Sequence, residues 1–147
     1  MFIVLEGLDG AGTTTQAERL AGMLTKKGRT VVRTQEPTGE GDIGQLLRRI
    51  LKKEVKVSAE ALQLLFCADR AEHLKNTVVP ALERGAVVIS DRYYFSTVAY
   101  GSLTIPDYEW LYQLNRLFLK PDLTFLLSVS PETCLERIRM QRCWRTF

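Results

Sequence analysis

A glycine-rich segment near the start of the chain places the strongest constraint on its fold. The segment reads "GLDGAGTTTQ" over residues 7–16, and it stands between the apolar run "MFIVLE" and a helical pattern. The apolar run does not alternate, which predicts a strand buried on both faces of a parallel sheet. A buried strand, a glycine loop and a helix in this order are typical of a phosphate-binding loop. The alternative is a glycine-rich turn without a ligand.

The rest of the chain continues this alternation of strands and helices. Three further strands are predicted at residues 30–34, 86–90 and 123–129. Helical patterns occupy about 14–27, 43–53, 59–76, 94–102 and 107–119, and a last helix starts at residue 131. Such alternation predicts a parallel sheet with right-handed crossovers and helices on both faces. A length of 147 residues suits one domain, so we expect a single domain over residues 1–147.

Composition and charge limit the classes of function. A net charge of +3 is too modest to argue for a nucleic-acid partner, and three scattered cysteines argue against a disulfide framework or a zinc site. No apolar run approaches the roughly 20 residues of a membrane helix. The first residues also lack the basic front and the cleavage site of a signal peptide. We therefore expect a cytoplasmic protein without a membrane partner.

Three polar segments follow predicted strands and are therefore expected at one edge of the sheet. They read "GLDGAGTTT", "QEPTG" and "DRYYFSTVAY", after the first, second and third strands. Ligand sites in open parallel sheets lie at the carboxyl ends of the strands. Together these segments predict an active site.

The first loop has Thr13 where a phosphate-binding loop normally has lysine. Main-chain N–H groups and the following helix do most of the binding in such loops, and Thr14 keeps the hydroxyl that normally binds Mg²⁺. Loss of the lysine weakens transition-state stabilisation more than ground-state binding. We therefore still expect the loop to hold the nucleotide through residues Gly7, Leu8, Asp9, Gly10, Ala11, Gly12, Thr13, Thr14 and Thr15.

The motifs, in this order, resemble those of the thymidylate kinase family over residues 2–140. The resemblance is carried by "FIVLEGLDGAGTTTQ", "RTQEPTGEGDIGQLLRRIL", "LLFCADRAEH", "VVISDRYYFSTVAY" and "PDLTFLLSVSPETCLERI". It implies a P-loop NTPase-like three-layer α/β sandwich of the nucleoside monophosphate kinase type. It further implies that ATP and Mg²⁺ are used to phosphorylate dTMP to dTDP, and that the enzyme is a homodimer.

The resemblance also assigns roles to individual residues. Asp9 and Arg92 are the expected catalytic residues, and Thr14 and Asp9 are the expected metal site. The acceptor site is expected to consist of Asp9, Glu36, Pro37, Phe66, Arg70, Arg92, Ser96, Thr97 and Tyr100.

Within that acceptor site, Phe66 stacks on the thymine ring and Arg70 hydrogen-bonds its edge. Tyr100 closes the space near the sugar 2′ position. The alternatives are a core aromatic for Phe66, a surface ion pair of Arg70 with Glu72 or Asp69, and a packing role for Tyr100. His73 is interpreted as structural.

Three departures from the family pattern leave other functions open. Thr13 replaces the loop lysine, Ser128 stands where aspartate is frequent, and the lid, fifth strand and further helices of the family are expected to be missing after residue 140. A sheet of only four strands would leave one edge strand and part of the core uncovered. We expect the missing cation to come from Arg137, Arg139 or Arg142, for which the alternative is a solvated helix face. The alternatives for the whole chain are another small-molecule kinase on the same scaffold and an inactive or fragmentary nucleotide-binding relative.

Overall fold

A four-stranded parallel sheet forms the centre of the protein. The computed structural model describes residues 1–144, with side chains described through residue 140. The sheet order is β2-β3-β1-β4. The strands are β1 (Phe2–Gly7), β2 (Val31–Gln35), β3 (Val87–Asp91) and β4 (Leu123–Leu127). Every pairing is parallel, which confirms the prediction from alternating strands and helices.

Seven α-helices accompany the strands among the described residues. They are α1 (Thr13–Lys26), α2 (Gly41–Leu51), α3 (Ala59–His73), α4 (Val79–Glu83), α5 (Tyr94–Gly101), α6 (Tyr108–Gln113) and α7 (Pro131–Trp144). The predicted boundaries are close for α1, α2, α5 and α7. The helix predicted over 107–119 is wrong in length, because α6 ends at Gln113 and a turn follows. The long helix predicted over 59–76 changes to a π-helical turn at Leu74–Val78, and α4 follows it directly.

The core lies on both faces of the two central strands. On one face, Phe2, Val4 and Val88 pack with the buried Val78 and Ala81. On the other face, Ile3, Leu5, Val87 and Ile89 pack against α1 through Ala17. This confirms the prediction that β1 is buried on both sides.

The outer strand β4 has a different environment. Leu123, Phe125 and Leu126 are exposed, with 74% of Leu126 accessible to solvent. This confirms the expectation that one edge strand would be uncovered. None of the helices in residues 1–144 combines the length and the apolar character needed to cross a membrane.

The register of the sheet brings the polar loops together. Leu5 of β1 and Gln35 of β2 both pair with Asp91, the last residue of β3. The segments that follow these three strands therefore leave the same edge of the sheet, as predicted. This edge carries the candidate site.

Candidate active site

The glycine loop between β1 and α1 forms one side of a cleft of about 740 Å³. Gly10 and Gly12 have φ angles of +84° and +99°, in the left-handed region that favours glycine. A Cβ atom at Gly10 would also lie 2.5 Å from the carbonyl oxygen of Cys134 in α7. The glycine at position 10 thus allows α7 to pack closely against the loop.

Three arginines line this cleft, although the loop has no lysine. They are Arg19 of α1, Arg92 and Arg137. Arg137 donates hydrogen bonds from Nη1 to the carbonyl oxygens of Gly10 and Ala11, at 3.3 and 3.2 Å. Its guanidinium therefore lies against the loop, and its role as the replacement cation stays a prediction.

Other predictions about the cations have different outcomes. Arg139 does not line the cleft. The side chain of Arg142 lies outside the described residues. Arg19 was not predicted, because an arginine in an amphipathic helix has no sequence signal that separates it from a surface residue. Thr13, which replaces the lysine, also lines the cleft, although only 6% of the residue is exposed.

Thr14 and Asp91 form a polar pair beside the loop. The Thr14 hydroxyl donates a short hydrogen bond to Oδ2 of Asp91. The other carboxylate oxygen, Oδ1, is buried and has no hydrogen-bond partner among the described residues. A buried carboxylate oxygen beside a threonine hydroxyl is a donor set that suits Mg²⁺. These two residues therefore fit a metal ion at the end of the loop.

Asp91 was missed by sequence reasoning, which assigned Asp9 to the metal together with Thr14. The structure pairs Asp9 with Arg92 and brings Asp91, not Asp9, to the Thr14 hydroxyl. The available signal was the position of Asp91 at the carboxyl end of a buried strand, where P-loop enzymes hold the metal-binding aspartate. A metal role for Asp9 stays a prediction.

Arg92 lies at the centre of the site. It donates from Nη2 to Asp9 Oδ1 at 2.6 Å and from Nη1 to Ser96 Oγ at 2.9 Å. Its guanidinium carbon lies 5.6 Å from the ring centroid of Tyr100. The predicted contact between Asp9 and Arg92 is therefore present. The Arg92 backbone has a φ angle of 72°, which is strained for a residue other than glycine.

A buried carboxylate supports the segment after β3. Glu6 accepts hydrogen bonds from the N–H groups of Tyr93 and Ser96, at 3.1 and 3.2 Å, and a short one from the Ser96 hydroxyl. Burial raises the pKa of Glu6, and these hydrogen bonds oppose the shift. Glu6 thus orients Ser96, which in turn bonds Arg92. A single acid inside the apolar run of β1 was the sequence signal for this role.

A second cleft of about 400 Å³ opens on the other side of Arg92. Its lining includes the predicted acceptor residues Glu36 and Pro37, together with Arg48 of α2, which sequence reasoning missed. Asp91 and Arg92 line both clefts. Two positively charged clefts therefore meet at one arginine and one carboxylate.

Arg70 is buried, with 1% exposure, rather than lying on the surface. Its ion pair is with Glu36, at 2.7 Å from Nη2 to Oε2, and not with Glu72 or Asp69 as the alternative had it. Asp69 instead accepts hydrogen bonds from the N–H and the hydroxyl of Thr38. Burial of a charge that must be paired explains this choice, because Glu36 is itself buried and close to the guanidinium.

The remaining predicted residues have less uniform surroundings. His73 donates from Nδ1 to Glu36 Oε1 at 2.9 Å, and its Nε2 lies 2.6 Å from the Thr34 hydroxyl, consistent with its structural interpretation. Phe66 is half-buried and lines neither cleft. Tyr100 is 43% exposed and borders a groove of about 450 Å³ next to Ser96. The roles predicted for Phe66 and Tyr100 stay predictions.

Comparisons with known proteins agree with this architecture. The family model described as thymidylate kinase matches residues 5–145. A probable thymidylate kinase of Thermococcus kodakarensis is 48% identical over 150 residues, covering 97% of this chain and 73% of the relative. A thymidylate kinase of Caldicellulosiruptor saccharolyticus is 42% identical over 144 residues, covering 95% and 69%.

A solved structure supports the same assignment. The crystal structure of thymidylate kinase from Ehrlichia chaffeensis superposes with a TM-score of 0.78 at 36% identity. The match covers 95% of this chain and 78% of that one. The fold is therefore the P-loop nucleoside monophosphate kinase fold. With its glycine loop, its paired clefts and these relatives, the chain belongs to the thymidylate kinase family.

Proposed function

We propose that this chain transfers the γ-phosphoryl group of ATP to dTMP, giving ADP and dTDP. One observation carries the proposal: Asp91 and Arg92 line two clefts at once, one on the glycine loop and one on α2. A phosphoryl transfer between two nucleotides needs this arrangement, because donor and acceptor phosphates must meet in line. Membership of the thymidylate kinase family supports dTMP as the acceptor and ATP as the donor.

The glycine loop would bind the donor phosphates mainly through its main chain. The glycines at positions 10 and 12 adopt the conformations that let successive N–H groups converge, and α1 adds the positive end of its dipole. The cation lost at Thr13 would be replaced by Arg137, whose guanidinium already lies on the loop. Arg19 lines the same cleft and would add to its positive potential.

Thr14 and Asp91 would hold Mg²⁺ beside the donor phosphates. Support comes from the unpaired buried oxygen of Asp91 next to the Thr14 hydroxyl. When bound, the ion would neutralise part of the charge on the phosphates.

The second cleft would bind the acceptor phosphate. Arg48 and Arg92 are the arginines that line it, and Glu36 and Pro37 form its wall. Phe66 would stack on the base, Arg70 would contact the base edge, and Ser96, Thr97 and Tyr100 would surround the sugar. The contacts of Arg92 with Ser96 and Tyr100 support the last of these roles, since both residues of α5 lie against the Arg92 guanidinium.

The transfer itself would need no general base. The attacking atom is a phosphate oxygen of dTMP, and the second pKa of a phosphate monoester is about 6, so it is ionised at neutral pH. A bond forms between that oxygen and the γ-phosphorus while the bond to the β–γ bridging oxygen breaks and ADP leaves. Arg92 would stabilise the charge that spreads over the transferred group. Asp9 would orient Arg92 through the 2.6 Å contact with its guanidinium.

The experiment that tests the proposal is a coupled ADP-release assay with dTMP, dUMP, dCMP and dGMP as acceptors. We expect ADP release to be fastest with dTMP. Thr13→Lys serves as the matched variant, because it restores the usual loop cation, and we expect equal or higher rates from it. If neither protein releases ADP and neither binds ATP in a calorimetric titration, the chain is a non-catalytic relative rather than a kinase.

Other expectations accompany this function. We propose a homodimer, which light scattering in solution would test, and a cytoplasmic location. We also propose one functional domain over residues 1–147.

A further inference from the structure

A buried cluster of polar side chains around Arg70 gives each nitrogen of its guanidinium a hydrogen-bond partner. Nε donates to Glu36 Oε2 at 2.8 Å, and Nη2 donates to Thr97 Oγ1 at 2.8 Å. Nη1 donates a short hydrogen bond to Oδ1 of Asn115. Glu36, Thr97 and Asn115 belong to three separate segments, after β2, in α5 and after α6. Every nitrogen of the guanidinium thus has a partner on a different part of the fold.

Aromatic rings fix the plane of the same guanidinium. Its central carbon lies 4.9 Å from the ring centroid of Tyr93 and 5.5 Å from that of Phe118. Hydrogen bonds at the edge and rings near the faces leave Arg70 little freedom to rotate.

The hydrogen bonds also select which N–H group remains for a ligand. An arginine side chain has five N–H groups, two of them on Nη1. One Nη1 N–H is used by Asn115, and the other has no acceptor among the described residues. Nη2 lies near both Glu36 and Thr97, and Nε is used by Glu36. The second N–H of Nη1 is therefore the one guanidinium donor without a partner among the described residues.

Asn115 is itself held in one orientation. Its Nδ2 donates to the carbonyl oxygen of Leu111 at 2.9 Å, so Oδ1 is the atom that faces Arg70. Asn115 is buried, with 6% exposure, and it carries no charge. An amide at this position accepts from Arg70 without adding a second buried carboxylate beside Glu36, which would need its own counterion.

We propose that Asn115 is a positioning residue for base selection, because its Oδ1 fixes Arg70 and leaves a single Nη1 N–H for the pyrimidine edge. This inference rests on the proposed function. A fixed N–H donor pairs with a carbonyl oxygen and not with an amino group. Arg70 therefore favours a pyrimidine with a carbonyl at C4, such as thymine, over cytosine, and Asn115 acts on this choice by holding the donor in place without touching the base.

The test compares dTMP and dCMP binding by calorimetry in the parent chain and two isosteric variants. Asn115→Leu removes the acceptor that holds the Nη1 end of the guanidinium. We expect the ratio of dCMP to dTMP dissociation constants to fall about tenfold, with ATP affinity unchanged. Asn115→Asp keeps an oxygen on Arg70, and we expect it to retain most of the selectivity.

Cys67→Ala is the matched control. The Cys67 thiol donates only a long, weak hydrogen bond to Asn115 Oδ1, at 3.8 Å, so its loss keeps the hydrogen bond between Asn115 and Arg70 and should leave the ratio unchanged. Equal weakening of dTMP binding and dCMP binding in Asn115→Leu would overturn the inference, because it would indicate a general loosening of the base site rather than a loss of selectivity. If Asn115→Leu does not fold by circular dichroism, Asn115→Ala takes its place, and failure of both to fold would also overturn it. A parent chain that does not bind dTMP at all would instead contradict the proposed function.

Discussion

The phosphate loop and the cluster around Arg70 are built in opposite ways. The loop depends on main-chain conformation at its glycines, and the side chain of Asp9 at its tip is 72% exposed. The cluster depends on side chains, and Arg70 at its centre is 1% exposed. We expect a site made of main chain to tolerate the replacement of lysine by Thr13. A site made of buried side chains tolerates little, because each lost partner leaves a polar group unsatisfied.

Arg92 lies between these two regions, and its substitution is expected to have the largest effect on turnover. Arg92→Ala removes the only residue besides Asp91 that lines both clefts described above. We expect turnover to fall by roughly 10³-fold or more, as for other arginines that stabilise transferring phosphoryl groups. Arg92→Lys should recover only part of the loss, because lysine does not provide a bidentate fork. Steady-state kinetics with circular dichroism measures this, and a normal rate in folded Arg92→Ala would contradict the mechanism.

Thr14 is the exception to a loop built from main chain, since its hydroxyl contacts Asp91. We expect Thr14→Ala to weaken Mg²⁺-dependent ATP binding by about 10–100-fold. Calorimetric titration with ATP, in Mg²⁺ and again after chelation with EDTA, would measure it. Thr25→Ala is a matched control on the same helix, because its hydroxyl donates to the Ala21 carbonyl and faces solvent. Equal ATP affinity in Thr14→Ala and the parent would show that the loop binds by main chain alone.

Tyr100 tests the acceptor side at a partly exposed position. If its ring limits the space near the sugar, Tyr100→Ala should reduce the preference for the deoxyribose form of the acceptor by roughly tenfold. The measurement is the ratio of dissociation constants for dTMP and its ribose counterpart. Equal affinity of the parent for both nucleotides would remove Tyr100 from the sugar site and leave it the packing role.

Substitution of Glu6 should have the smallest effect, and that effect is on the stability of the fold rather than on turnover. Its folded-state pKa is raised above the ordinary value of 4.5 by burial. Its contribution to stability is therefore fully present below pH 4.5 and is lost as pH rises through the raised folded-state pKa. Denaturant unfolding across this range should show a decline that Glu6→Gln lacks, because glutamine does not ionise. Parallel pH profiles for the two proteins would contradict this.

The sequence predicted the fold better than it predicted the contacts of the site. Strand positions, parallel pairing and the meeting of three loops followed from apolar runs and helical spacing, which are local signals. The Asp9–Arg92 contact followed from the family resemblance. The length of the helix after residue 107 did not follow, because its apolar pattern continues into a turn at Leu114.

The missed residues share one property, which is that their roles depend on distant partners. Arg70 and Asn115 are 45 positions apart in the sequence, and Thr14 and Asp91 are 77 apart. An asparagine near a helix end is usually interpreted as a surface or capping residue. No local pattern indicates that it will contact a buried guanidinium. The site role of Arg48 was missed as well, because its position follows the spacing of an ordinary amphipathic helix.

The left-handed backbone at Arg92 has a consequence for how this enzyme would respond to selection. Glycine adopts a φ angle of 72° without the strain of about 1–3 kcal/mol that other residues carry there. Screening a library for heat tolerance alone would therefore favour glycine at position 92, while screening for turnover would favour arginine. With the role proposed for Arg92, conformational stability and catalytic power would compete for this one position, so improvement of one property is expected at the expense of the other.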